Sequence, residues 1–420
     1  MKTSRVKAFS LLRKLAALLL MIGAPISPIL ATKWVSSWSS AQLLVDPANA
    51  LPEAARQDAT LRQLVRVSIG GTHIRVHISN AFGKTPLEMS GVDVALAASP
   101  TSSAIIPSSD RRLTFSGQRS VIVPAGAEYL SDPVSLNVPP LGTLAISIHY
   151  AKLPQAETGH PGSRATSYFA AGDAVARAAI LGTSNIEHWY FISGVDVEAA
   201  NPAAAIAALG DSITDGHGVA TNSNGRWTDV LAERLSRSPA TRYLGVLNAG
   251  IGGNRVLEDG IGPNAVARFG RDVLASNGVR YVILLEGVND LGVLTRDKPA
   301  SADQHRQMVA SIVAAYRQMI ERAHDHGIKM LGATIMPYGA SGYYHPDAAN
   351  EADRQAINSW IRSPGHFDAV IDFDALMRDP KQPNRLRKDY DSGDGLHPSA
   401  AGYHAMGEGI PLSLFSGARR

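Results

Sequence analysis

Cysteine is absent from the 420-residue chain. No disulfide can staple the fold, no thiolate can serve as a nucleophile, and a zinc site would have to be built from histidines and carboxylates alone. A surplus of one charge is lacking as well. Forty Lys and Arg stand against 37 Asp and Glu, a formal net charge of +3, with no clustered basic face of the kind a nucleic-acid partner needs. Membrane-length apolar runs are also missing. The run Leu15–Ile22 is shorter than the roughly 20 residues that cross a bilayer. It follows Lys2, Arg5, Lys7, Arg13 and Lys14 and precedes small residues near Ala31. That order predicts a cleavable signal peptide over residues 1–31, hence a secreted or periplasmic protein with no stable membrane insertion after cleavage. An apolar fraction of 45% and a charged fraction of 18% exclude bulk disorder. The length predicts two domains, and no internal repeat is visible.

What is present changes character near residue 200. From Trp34 to about Val197 the pattern is that of short strands. Ile74–Ser79 and Leu144–Tyr150 alternate apolar with polar residues, so each should bury one face and wet the other. Gly70-Gly71 separates Leu64–Ser68 from the first of these, which predicts a hairpin. Residues 32–200 are therefore expected to form an all-β sandwich or jelly-roll domain. After Ala203 the strands become continuous apolar runs: Ala204–Leu209, Tyr243–Leu247, Tyr281–Leu285, Met330–Ile335 and Ala369–Asp372. Such runs mark strands buried on both faces of a parallel sheet. Helical stretches lie between them. The best defined spans Ser301–His326, with Ser301 and Gln304 as a capping box and Gly327 as its stop. Residues 201–420 should thus be a flavodoxin-like, doubly wound α/β domain.

In such a domain ligands sit beyond the carboxyl ends of the strands. The residues that follow the first three runs and the last are Gly210-Asp211-Ser212, Asn248–Asn254, Glu286–Asp290 and, after a long loop, Asp391–Pro398. Together they bring a hydroxyl, glycine amides, a side-chain amide and an Asp/His pair to one edge, the parts that acyl transfer requires. A serine hydroxyl needs a base. His397 can take its proton through one ring nitrogen, while Asp394, three residues earlier, fixes the other. The backbone amides of Ser212 and Gly253 and the side chain of Asn289 are the candidate oxyanion donors.

On these four blocks, Gly210-Asp211-Ser212, Gly253, Gly287-Val288-Asn289-Asp290 and Asp394-Gly395-Leu396-His397, the chain resembles the GDSL, or SGNH, hydrolases. The resemblance runs from about Pro202 to Ile410. It implies a cofactor-free carboxylic-ester hydrolase acting on acetylated sugars, lipids or aryl esters, with Ser212, Asp394 and His397 catalytic and Ser212, Gly253 and Asn289 forming the oxyanion hole. The β region looks like the module that precedes this domain in some secreted bacterial members.

Simpler readings stand beside each motif. Asn289-Asp290 could be a helix cap, and His397-Pro398 a turn before the last helix. Gly83-Lys84-Thr85 is no phosphate loop, because Ile78 stands where a glycine is required. Thr214 breaks the Gly-x-Ser-x-Gly elbow. His324 and His326 read as a solvated helix end, with no metal implied. Asp215 and His217 could line the pocket or simply enter a helix, and Asp372 and Asp374 read as structural. Trp34, Trp38 and Trp189 fit a core better than a sugar platform. The expected substrate is a small-molecule or polysaccharide ester, with acetyl groups on carbohydrate foremost. The alternatives are a lipase, lysophospholipase or aryl esterase, or a carbohydrate-binding protein with an inert hydrolase domain. The sequence does not specify an oligomeric state.

Overall fold

The computed structural model describes residues 32–180 and 184–415. The expected signal peptide, residues 1–31, lies outside them. Among the described residues no helix is long and apolar enough to cross a membrane.

The N-terminal region is antiparallel. Thr143–Lys152 lies between Gln57–Arg66 and Leu87–Leu96 in a seven-stranded sheet. Gly71–Ser79 pairs with Ile192–Ala200 in a five-stranded sheet that also holds Thr32–Ser39. Three short strands, Leu43–Leu44, Thr158–His160 and Trp189–Tyr190, make a third. Ile74, Val76 and Ile78 of the five-stranded sheet share one buried cluster with Leu61, Val92, Ile146 and Ile148 of the seven-stranded sheet.

Two local expectations are corrected. Gly70-Gly71 does not close a hairpin, since the strands on either side enter different sheets. The glycines serve close approach instead: a Cβ at residue 70 would stand 2.3 Å from the Val138 carbonyl oxygen, and one at residue 71 would stand 2.6 Å from that of Glu198. Leu144–Tyr150, which alternates on paper, is buried on both faces through Ile148. Its second face carries Ala145, packed with Leu64, Ala95, Ile105 and Tyr168. It also carries Ser147, whose hydroxyl accepts from the fully buried Arg62 at 2.8 Å. The rest of that guanidinium is satisfied by the carbonyls of Ser103, Val175 and Arg177. A covering loop, which periodicity cannot reveal, turns a half-wet strand into a buried one.

Beyond Ala203 the chain builds five parallel strands: β1 (Ala204–Gly210), β2 (Leu244–Gly250), β3 (Val279–Leu285), β4 (Lys329–Ala333) and β5 (Ala369–Ile371). Their order is β2-β1-β3-β4-β5, the doubly wound arrangement with its switch point between β1 and β3. Right-handed crossovers then place the connecting helices on opposite faces. Helix α1 (Ser212–Asp215) is a single turn after β1. It is followed by α2 (Trp227–Arg237), α3 (Val288–Arg296), α4 (Ala302–Asp325), α5 (Ala348–Arg362) and α6 (Ala400–Gly409). Helices α2 and α6 pack together, as do α4 and α5. Helix α4 keeps its expected ends, with a reciprocal Ser301–Gln304 capping box and Gly327 at φ 68°.

From Lys33 onward the chain is one compact unit, and a single apolar cluster runs from Val35 to Phe415. The two regions meet along the edge strand β2. Its Val246 N–H donates to the Ser68 hydroxyl at 2.9 Å, and the Ser39 hydroxyl donates to the Asn248 carbonyl at 3.5 Å. The buried hub of the junction is Asp196. It accepts from Ser36 Oγ at 2.7 Å, Arg75 at 2.8 Å, His77 Nε2 at 3.0 Å and Asn277 Nδ2 at 2.7 Å.

His77 lies between two carboxylates, those of Asp196 and Glu128. Burial pulls its pKa down, but the hydrogen bonds and charges of Asp196 and Glu128 outweigh burial and hold it at about 9. A folded-state value above the unfolded 6.5 gives stability that is complete below that value and disappears as the pH rises through the folded one. The melting temperature should therefore fall as pH is raised from 6.5 through about 9, and His77→Gln should flatten that decline. An identical slope in the variant would contradict the assignment.

Candidate active site

Ser212 opens α1 directly after β1, with Asp211 as N-cap accepting from Ile213 N at 2.9 Å. As the first residue of the helix, Ser212 has a backbone N–H with no intrahelical partner. Its hydroxyl lies 2.8 Å from His397 Nε2, and His397 Nδ1 lies 2.6 Å from Asp394 Oδ2. With Nδ1–H held by the carboxylate, Nε2 is the free acceptor for the serine proton. The other Asp394 oxygen accepts from the backbone N–H groups of Leu396 at 2.9 Å and His397 at 2.8 Å. Burial pushes the Asp394 carboxyl up, but the hydrogen bonds from His397 and from these two amides prevail and hold it at about 2.

Gly253 sits in the loop after β2 at φ 69°, a left-handed conformation, and a Cβ there would come 2.9 Å from Ile261 Cδ1. Asn289 lies in the first turn of α3, and its Nδ2 donates to the Asn254 carbonyl at 2.7 Å. Asp290 does not cap the helix. Its carboxylate accepts from Val256 N at 2.8 Å and Leu257 N at 3.1 Å, pinning the Gly253 loop to α3. Burial raises its pKa to about 6 despite those two bonds. The structure thus brings Ser212, Gly253, Asn289, Asp394 and His397 onto the wall of one cleft of about 870 Å³. Ile261 and Tyr343 stand at its rim, 61% and 60% exposed.

Asp215 and His217, which the sequence left open between pocket and helix entry, part ways in the structure. His217 lines the cleft and lies on the ring of His397, with centroids 4.0 Å apart and a tilt of 31°. Burial and the neighbouring His397 lower its pKa. With Asp394 these two histidines form the one group among the described residues whose ligating atoms fall within 4.8 Å of one another. Both ring nitrogens of His397 are already engaged, Nε2 with Ser212 and Nδ1 with Asp394, which fits a hydrogen-bonded line better than a metal cage. Asp215, by contrast, is buried away from the cleft. It accepts from His160 Nε2 of the β region at 2.8 Å, while His160 Nδ1 meets the Ala41 carbonyl. Asp372 and Asp374 bind Arg362, and Asp374 also binds Arg354, in the structural role expected of them. Trp38 and Trp189 are buried edge to face.

Behind the site lies Arg268, wholly buried. Its Nε donates to Asn254 Oδ1 at 2.8 Å. One terminal nitrogen donates to the Ala249 carbonyl at 2.6 Å and to Asp272 at 2.9 Å. The other reaches the Gly210 carbonyl at 2.9 Å and Glu286 at 3.4 Å. One cation thereby ties the ends of β1, β2 and β3. Burial, reinforced by the neighbouring carboxylates, raises the pKa of Asp211 and of Glu286 despite that cation.

A serine hydroxyl, an oriented imidazole and a carboxylate at the carboxyl edge of a parallel sheet are the arrangement that serine-type hydrolases use. Residues 206–410 match the model of the GDSL-like lipase/acylhydrolase family, so the chain carries a domain of that family and is a carboxylic-ester hydrolase. Among solved structures it is similar to a GDSL-like lipase from Bacteroides thetaiotaomicron, at 18% identity over 50% of this chain and 87% of the other, with a TM-score of 0.37. It is also similar to an acetyl xylan esterase, at 20% identity over 49% and 96% with a TM-score of 0.37. A third is LAE5, an α/β hydrolase from the metagenome of Lake Arreo, Spain, at 20% identity over 52% and 98% with a TM-score of 0.36. A search of curated proteins gave no match.

Removing Arg268 would strand Glu286 and the carbonyls of Gly210 and Ala249 in the interior. Breaking a buried ion pair from one side costs about 3–5 kcal/mol. Arg268→Ala should lose that much stability in equilibrium denaturant unfolding, and a loss below about 1 kcal/mol, the scale of an exposed pair, would contradict the role assigned to it.

Proposed function

We propose that the protein is an exported serine esterase that removes short acyl groups, acetyl foremost, from carbohydrate. The observation that carries this reading is the unbroken line from Ser212 Oγ through His397 to Asp394 at the floor of an open cleft. In the proposed reaction Ser212 Oγ attacks the ester carbonyl carbon while its proton passes to His397 Nε2. The carbonyl oxygen becomes an oxyanion held by the N–H groups of Ser212 and Gly253 and by Asn289 Nδ2. Collapse breaks the bond to the alcohol, which leaves with the proton from Nε2. Water then repeats the sequence on the acyl-serine and releases the carboxylate.

Support for a carbohydrate substrate comes from the exposed ring of Tyr343 at the cleft rim, a flat surface suited to a pyranose, with the Arg296 guanidinium 5.4 Å from its centroid. The export pattern of residues 1–31 supports an extracellular or periplasmic setting. One observation favours a second reading, a lipase, lysophospholipase or aryl esterase: Ile261 offers an apolar contact on the same rim.

Ser212→Ala should lower kcat by a factor on the order of 10⁶ while leaving the unfolding transition in place, and unchanged cleavage would sink the mechanism. A series of p-nitrophenyl esters should peak at acetate, whereas a maximum at eight carbons or beyond would transfer the protein to the lipase reading. Because Asp394 stays ionised down to about 2, its carboxyl should add no step to the pH profile of kcat/KM near the ordinary carboxylate range, about pH 4. A step in the profile at about pH 4 that disappears in Asp394→Asn would contradict the low value.

A further inference from the structure

An oxyanion hole built with a side-chain amide has a weakness that backbone donors lack. The amide can rotate, and its oxygen and nitrogen are similar in size. Asn289 is held at both ends. Its Nδ2 donates one hydrogen to the Asn254 carbonyl at 2.7 Å, leaving the second for the cleft that Asn289 lines. Its Oδ1 accepts from the hydroxyl of Tyr344 at 2.6 Å. Both partners are as buried as the amide: Asn254 is 0% exposed, and Asn289 and Tyr344 are each 3% exposed.

Tyr344 belongs to none of the four sequence blocks. It comes from the loop between β4 and α5, whose turn is tied by the Ser341 hydroxyl accepting from Tyr343 N and Tyr344 N, both at 3.3 Å. The ring lies directly against α3 at residue 292, where the sequence has glycine. Burial, with the nearby charge of Asp211, raises the pKa of the phenol, so it stays a donor under working conditions.

Building on the oxyanion role proposed for Asn289, we infer that Tyr344 is the positioning residue of the oxyanion hole, its hydroxyl fixing and polarising the Asn289 amide so that the free N–H points at the substrate oxygen. A hydroxyl that donates to the amide oxygen draws charge from the nitrogen and strengthens the opposite N–H as a donor. Without it, Oδ1 is a buried acceptor with no partner, and the amide gains from turning toward any other donor. The effect should be felt where negative charge develops, in the transition state, and hardly at all in ground-state binding.

The test is Tyr344→Phe, which keeps the ring and its packing, compared with Asn289→Ala and with the double variant in the full chain. A short-chain p-nitrophenyl ester is the substrate, and unfolding is monitored in parallel. The inference expects kcat to fall by about tenfold, the size of one modest hydrogen bond, with KM within about twofold and an unchanged pH profile. In the Asn289→Ala background Tyr344→Phe should cost nothing further, because the group it positions is gone. A Tyr344→Phe enzyme with normal kcat, or with a lower melting temperature as its only defect, overturns the inference while leaving the oxyanion role of Asn289 intact. Losses that add fully in the double variant also overturn it. If Asn289→Ala itself has normal kcat, the oxyanion role fails and the inference fails with it.

Discussion

One buried guanidinium holds the active edge together. Arg268 has no water to solvate it, so every N–H must find a protein acceptor, and beside Asn254 and Asp272 the acceptors it finds are the ends of three strands. The carbonyls of Gly210 and Ala249 and the carboxyl of Glu286 are fixed relative to one another. Ser212, Gly253 and Asn289 follow these anchors within a few residues. A hydroxyl and two donors that must meet within fractions of an ångström therefore inherit their spacing from one planar cation. The same cation offsets the crowding of the Asp211 and Glu286 carboxyls beneath the site.

The α/β topology was legible in the sequence because its signals are local: apolar runs of strand length, a capping box at Ser301, a glycine stop at 327. The site was legible because a parallel sheet sends all its strand ends to one edge, so reading the residue after each run amounts to reading the edge. The supports were hidden for the opposite reason. Arg268 lies in a short helix, Ala265–Phe269, with no periodic distinction, and Tyr344 lies in a loop whose path depends on its neighbours. His160 reaches Asp215 across 55 positions of sequence. The hairpin expected at Gly70-Gly71 failed because glycine pairs signal both tight turns and close packing, and only the surroundings tell them apart. Leu144–Tyr150 failed through a cover formed by distant loops.

The β region is bound to the hydrolase fold by polar contacts of unusual reach. Asp196 collects donors from both regions, and His160 steadies the short helix that begins with Ser212. The third sheet, which carries His160, thus takes part in placing Ser212 without entering the cleft. The cleft itself is lined by loops from several strands and helices, so its rim, with Tyr343 and Ile261, can vary without disturbing the hydrogen-bonded line beneath.

The seam along β2 has a consequence for how the chain can be divided. An edge strand offers a row of unmet N–H and C=O groups, and here Ser39 and Ser68 meet two of them. A shortened polypeptide starting near Ala203 would retain every residue of the proposed site, yet it would bare that rim to solvent. Its first new partner would be the same rim on another copy, so such a fragment stands to lose solubility together with the His160 contact that steadies the helix of Ser212.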